Sequence, residues 1–182
     1  GGVGEADMVK EATVMAQLPK HPNVVPLIGV VTRGLPLYLV VSICEHGSLI
    51  AFLKKKKALP LRQQLSILDK LKMALDVAHG MAHIAEGHFV HRDLAARNVL
   101  VNTMLACQVA DFGLSRQVAA SSLDSAGIEE EYYRSVRGQF AVRWTAPEAM
   151  QTNKFTTMTD VGQYATVWAR LMCSLVHICA TT

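Results

Sequence analysis

Short apolar runs alternate with one long stretch of helical period along this chain, and the alternation predicts a mixed architecture. Val9, Ala12 and Met15 recur at helical spacing between Glu5 and Leu18, which predicts a first helix. Pro19 and Pro22 end it, because proline lacks an N–H and crowds the preceding turn. Val24 to Val31 and Leu37 to Val41 are β-branched and apolar, and Arg33-Gly34 between them supplies a hairpin turn. Gly47-Ser48 opens a second helix that runs to about Lys56, and Pro60 closes that unit.

The clearest helix lies between Arg62 and Ala85. Ile67, Leu71, Ala74, Ala78 and Met81 form one apolar stripe, widened by Leu68, Leu75 and Ala82, so that face is expected against the core. Val99-Leu100-Val101 and Gln108-Val109-Ala110 then read as short strands flanking a turn. Leu114 to Arg143 is polar and long, as a mobile functional loop would be. Val161 to Ala180 is apolar enough to raise the question of a membrane span, but Arg170, Gln163 and His177 favour a buried core helix. No internal repeat is visible.

Composition narrows the picture. At 182 residues there is room for one domain with a real core. A hydrophobic fraction of 51% with 18% charged residues excludes a disordered chain. A net charge of +3 is too small to argue for nucleic acid, and Lys54 to Lys57 reads as a solvated helix end. Cys44, Cys107, Cys173 and Cys179 show no metal or disulfide spacing, which implies reduced thiols in an intracellular setting. No amino-terminal signal peptide is recognisable.

The chemistry is concentrated in three motifs. His91-Arg92-Asp93-Leu94-Ala95-Ala96-Arg97-Asn98 comes first, then Asp111-Phe112-Gly113, then a polar loop with Tyr132-Tyr133, then Ala146-Pro147-Glu148. An isolated Asp or Asn is usually a cap or turn residue; the order and gaps of the whole set carry the signal. The set resembles the catalytic segment of a protein kinase, and Ala95-Ala96-Arg97 resembles the tyrosine-specific branch outside the Src subfamily. Val142-Arg143-Trp144-Thr145 resembles the tyrosine-kinase substrate platform.

The resemblance implies an α+β fold: a remnant of the small β lobe and hinge over residues 1–45, and a mainly helical, truncated large lobe over 46–182. It implies a protein-tyrosine kinase that uses ATP and Mg²⁺ on tyrosine-containing protein substrates, with no nucleic acid partner and no membrane span in this chain. The setting would be cytoplasmic, as a soluble enzyme or as the intracellular part of a membrane receptor. Phosphoryl transfer needs positioning and stabilisation of spread charge. Asp93 would accept the phenol proton, Arg97 would orient the phenol, and Asn98 and Asp111 would hold Mg²⁺ through hard oxygens. Glu11 matches the glutamate that pairs with an ATP-contacting lysine. His21-Pro22-Asn23 matches the exit from its helix. Val41 falls at the gatekeeper, Ser42 to Cys44 at the hinge, and Leu100 beneath the adenine. Met15, Leu27, His91 and Phe112 correspond to the apolar stack of an active kinase. Tyr132 and Tyr133 resemble tandem activation-loop tyrosines, with Arg92 as the partner of an added phosphate.

Both ends depart from the pattern. Only about ten residues precede Glu11, so the glycine-rich loop and the lysine have no place in this sequence. Losing one such preorganised charge stabiliser costs roughly 3–4 kcal/mol in a transition state. Asp160 matches the aspartate that anchors the catalytic loop, but the family's Trp-Ser-Phe/Tyr-Gly becomes Gly162-Gln163-Tyr164-Ala165. The late large-lobe helices are missing, and with them the arginine that Glu148 would meet; an unpartnered buried carboxylate costs about 3–5 kcal/mol. The alternative expectation is therefore a catalytically impaired, pseudokinase-like binding module or a truncated product.

Overall fold

The structure, a computed structural model, describes residues 3–34, 36–120, 131–134 and 145–173. Helix α1 (Val3–Gln17) leads into strand β1 (Leu27–Val31), which pairs antiparallel with β2 (Tyr38–Val41). Gly34 has φ +83°, the left-handed conformation that a tight turn assigns to glycine. The expected hairpin is present. Val24 departs from its expected strand and makes only an isolated parallel bridge to Val109.

Gly47-Ser48 forms a two-residue strand, β3, and helix α2 (Leu49–Lys57) follows it. The four lysines of its last turn lie against the negative end of the helix dipole. Three of them are exposed, and Lys56 extends its ammonium over the Phe52 ring. A short 3₁₀ turn (Leu61–Gln63) then separates α2 from α3 (Ile67–Glu86). Helix α3 starts later than expected because Ser66 caps it. Asp69 N–H donates to Ser66 Oγ at 3.1 Å, and Ser66 N–H donates back to Asp69 Oδ2 at 3.0 Å.

The buried face of α3 is not the stripe expected from the sequence. Lys70, Met73, Ala74, Val77, Gly80 and Ile84 face inward, while Ile67, Leu68, Leu71 and Leu75 are exposed. Apolar residues run almost all round this helix, so period alone does not choose the side. Gly80 decides it. A Cβ there would meet the carbonyl oxygen of Asn23 at 2.4 Å, so only glycine admits the chain entering β1 this close.

Strands β4 (Phe89–Val90), β5 (Val99–Val101), β6 (Cys107–Val109) and β7 (Arg116–Gln117) come next. β3, β5 and β6 form one antiparallel sheet, and β4 pairs with β7. The segment before β1 is sewn onto β6. Val109 N–H donates to Asn23 O, Val25 N–H donates to Val109 O, and Asn23 Nδ2 donates to Cys107 O.

The long loop expected at Leu114 to Arg143 contains strand structure: β7, then β8 (Ala119–Ala120) and β9 (Glu131–Arg134). β9 lies between β8 and β10 (Lys154–Phe155). Residues 121–130 and 135–144 lie outside the described residues, and with them Val142, Arg143 and Trp144. Helix α4 (Pro147–Thr152) opens with proline at its first turn and ends on Asn153 at φ 54°. Glu148 corrects an expectation: its side chain is exposed in the first turn of α4, so no buried carboxylate penalty arises.

Helix α5 (Thr157–Cys173) packs on α3 and on the strands below the β4–β5 loop. Val167 and Leu171 join the main core with Val77, Ile84, Val99, Val109 and Phe112. Among the described residues no helix is long and apolar enough to cross a membrane. The result is a mixed α+β fold with a small β region and a larger helical one.

Candidate active site

The loop His91–Asn98 joins β4 to β5, and its polar groups are almost all engaged. Asp160 on α5 accepts from His91 N–H at 2.7 Å and from Arg92 N–H at 3.0 Å. Burial pushes the Asp160 carboxyl above its ordinary value, opposed by His91, by the two backbone bonds and by Arg92. The anchoring expected of Asp160 is present. Arg92 sits at φ 69°, a strained conformation for a side-chain-bearing residue, and the surrounding bonds hold it there.

Asp93, Arg97 and Asn98 come together as one network. Asn98 Nδ2 donates to Asp93 Oδ2 and to Asp93 O, each at 2.8 Å, and Arg97 Nη2 donates to Asp93 Oδ1 at 2.5 Å. Both oxygens of the carboxylate are thus oriented. Asp93 and Asn98 are buried, while Arg97 keeps 40% of its side chain exposed at the lip.

His91 links this loop to the next motif. Its Nδ1 accepts from Asp93 N–H at 3.3 Å, which leaves Nε2 as the protonated nitrogen donating to Ala110 O at 3.1 Å. Its ring stands tilted on Phe112 with centroids 5.4 Å apart. Met15 and Phe112 are buried and Leu27 packs against the same core, so the expected apolar stack assembles.

Asp111 sits at φ 66° with its side chain exposed. Glu11 reaches the same motif from α1, accepting from Phe112 N–H at 3.3 Å. Burial and then the Asp111 charge raise the Glu11 carboxyl, while the Phe112 bond lowers it. The Asp111 charge is thus close enough to act on Glu11, whose expected lysine partner was not found in the sequence.

The residues expected at the hinge lie on and after β2. Val41 is exposed on β2, and Ser42 N–H donates to Pro26 O at 3.2 Å. Cys44 turns inward, its thiol donating to Gln108 Oε1 at 3.1 Å, and burial raises it. Leu100 is half-buried on β5. Arg92 is buried; it donates to Leu114 O at 3.1 Å and lies 4.5 Å over the Phe155 ring. Tyr132 and Tyr133 lie on β9, where Tyr133 pairs with Phe155 of β10.

Comparison with known proteins agrees with this geometry. The model of the protein tyrosine and serine/threonine kinase family matches residues 3–176. The chain belongs to that family. Ephrin type-A receptor 7 of Gallus gallus is 44% identical over 166 residues, which is 91% of this chain and 15% of the receptor. Ephrin type-B receptor 2 of the same species is 40% identical over 166 residues, with the same coverage. Ephrin type-A receptor 3 of Danio rerio is 43% identical over 161 residues, 88% of this chain and 15% of the receptor. The chain therefore spans about 15% of the length of these curated relatives.

Two features of this kinase-family site had little signal in the sequence. Gln163 was visible only as a departure from the family pattern, yet it is fully buried beneath the loop. A glutamine inside an apolar helical stretch is the one sign that could have marked it. Tyr164, beside it, donates its hydroxyl to Ala74 O at 3.0 Å and ties α5 to α3.

Proposed function

We propose that this chain carries the catalytic segment of a protein-tyrosine kinase, which transfers the γ-phosphoryl group of ATP to tyrosine hydroxyls of protein substrates in signalling. The observation that supports it is the Asp93 carboxylate, held on both oxygens at the lip of a buried loop by Arg97 and Asn98. Asp93 accepts the phenol proton, and a positioned base of this kind contributes about 10²–10⁴-fold. Arg97, exposed beside it, guides the phenol.

The residues present fit Mg²⁺. Asn98 spends its amide nitrogen on Asp93, which leaves its amide oxygen as a hard ligand, and Asp111 adds an exposed carboxylate. Mg²⁺ takes its remaining ligands from water and phosphate, so two protein oxygens suffice on the protein side. When bound, Mg²⁺ supplies charge neutralisation at the phosphates. The family resemblance supports assigning Val41, Leu100 and the backbone of Ser42 to Cys44 to the adenine side, and Glu11 and Asp111 to the phosphate side. Residues 1–45 act as small-lobe remnant and hinge, and 46–182 as the large lobe.

Tyr132 and Tyr133 are the regulatory positions, and Arg92 receives the added phosphate. Phosphorylation is expected to slow proteolysis between Leu114 and Arg143; unchanged cleavage contradicts that assignment.

One observation favours a second reading, a kinase-like module that binds without transferring. The β1–β2 pair exposes Ile28, Val30, Tyr38, Val40 and Val41, an apolar face of the kind that partner proteins cover. Titration with ATP, with and without Mg²⁺, followed by a transfer assay on a tyrosine peptide, separates the two. Binding with transfer supports the kinase reading; absence of transfer at saturating Mg²⁺·ATP supports the binding module.

A further inference from the structure

The amide of Gln163 lies between two backbone groups on either side of Asp93. Its Nε2 donates to Arg92 O at 2.9 Å, and its Oε1 accepts from Leu94 N–H at 2.9 Å. One neighbour is a carbonyl and the other an N–H, so only this orientation of the amide satisfies both. The residue is fully buried, and both bonds form where water cannot substitute.

Asp160, three residues earlier on α5, accepts from His91 N–H and Arg92 N–H. The two side chains lie on one face of the helix and divide the loop between them. A carboxylate only accepts, so Asp160 can take N–H groups alone. An amide both donates and accepts, so Gln163 can also hold the Arg92 carbonyl. The remaining polar groups beside the carboxylate are held by the loop itself. Asp93 N–H donates to His91 Nδ1, and Asp93 O accepts from Asn98 Nδ2. Arg92, at φ 69°, is thereby fixed through its N–H by Asp160 and through its carbonyl by Gln163.

We propose that Gln163 is a positioning residue for Asp93, its amide clamping the backbone on both sides of the carboxylate. It stands where the family pattern has serine, a shorter side chain with a single oxygen. The clamp is thus a property of this chain. Its role rests on reading Asp93 as the base.

The first test needs no turnover. In the full wild-type chain, a scalar coupling through the hydrogen bond should connect the Leu94 amide nitrogen with the Gln163 side-chain carbonyl carbon. An absent coupling with rapid exchange of the Leu94 amide overturns the clamp. The second test compares wild type with Gln163→Met, which keeps the length and removes both bonds. With both buried hydrogen bonds gone, the kcat is expected to fall roughly tenfold or more while KM for ATP stays unchanged. An unchanged kcat overturns the positioning role. Protection of the Val77 amide in the core reports whether the variant folds. Should Gln163→Met not fold, Gln163→Asn keeps the amide but draws it back by one methylene from both partners, and is expected to give the same split. A wild-type chain that shows the coupling and no transfer contradicts the proposed function alone. The Asp93 carboxyl carbon resonance then decides the clamp: it shifts in the Gln163 variant if that residue positions Asp93, and a stationary resonance overturns the proposal.

Discussion

Arg97 and Asp93 are in direct contact, Nη2 to Oδ1 at 2.5 Å, so the base assigned here and its cationic neighbour form a pair before any substrate arrives. Arg97 is 40% exposed and Asp93 only 12%, so the pair presents its cation outward and its carboxylate inward. A phenol approaching Asp93 meets the guanidinium first.

Arg97→Ala is therefore expected to act on substrate more than on stability. A partly exposed ion pair contributes about 0–1 kcal/mol to folding, so thermal stability should change little. KM for a tyrosine peptide should rise roughly tenfold through a lost charge-assisted contact, with KM for ATP unchanged. Steady-state kinetics in each substrate check the split.

Gly80→Ala tests the seam between α3 and the segment entering β1. Helix propensity alone favours alanine by about 1 kcal/mol. The new Cβ would lie 2.4 Å from Asn23 O, which already accepts from Val109 N–H at 2.8 Å and cannot retreat cheaply. Overpacking of this kind costs about 1–3 kcal/mol, so the clash wins. Chemical denaturation should show net destabilisation of up to about 2 kcal/mol.

Ser66→Ala removes the cap of α3 and is expected to cost about 1 kcal/mol at neutral pH. The cost depends on pH in a defined direction. Hydrogen bonds from Ser66, its side chain foremost, hold the Asp69 carboxyl below its ordinary value of 3.8. A group depressed in the folded state adds stability that is complete above its unfolded value and lost as pH falls through its folded value. The gap between wild type and Ser66→Ala should therefore narrow below about pH 4, as denaturation curves across the acid range would show.

The Asp93 network was legible because it is local. Asp93, Arg97 and Asn98 share one loop, and their spacing alone brings them together. The hairpin at Gly34 was legible for a similar reason, since turn chemistry is short-range. The buried face of α3 was not. Ile67, Leu68, Leu71 and Leu75 compete with Met73, Val77 and Ile84, and the choice rests on a close approach at Gly80 that only the tertiary structure contains. Lys70 reads as polar although the residue is buried. The Gln163 clamp was illegible for the same cause: its partners lie about seventy residues earlier in the chain. Glu148 was misjudged because its exposure depends on what packs against α4, which the motif does not state.

The most direct measurement is Mg²⁺-dependent phosphate transfer from ATP to a tyrosine peptide, comparing the wild-type chain with Asp93→Asn. The substitution keeps size and burial and removes the proton acceptor. The account predicts phosphotyrosine formation by wild type and a loss of about 10²-fold or more in the variant, with ATP binding retained. Equal rates in the two proteins, or no transfer by wild type at saturating Mg²⁺·ATP, would contradict it.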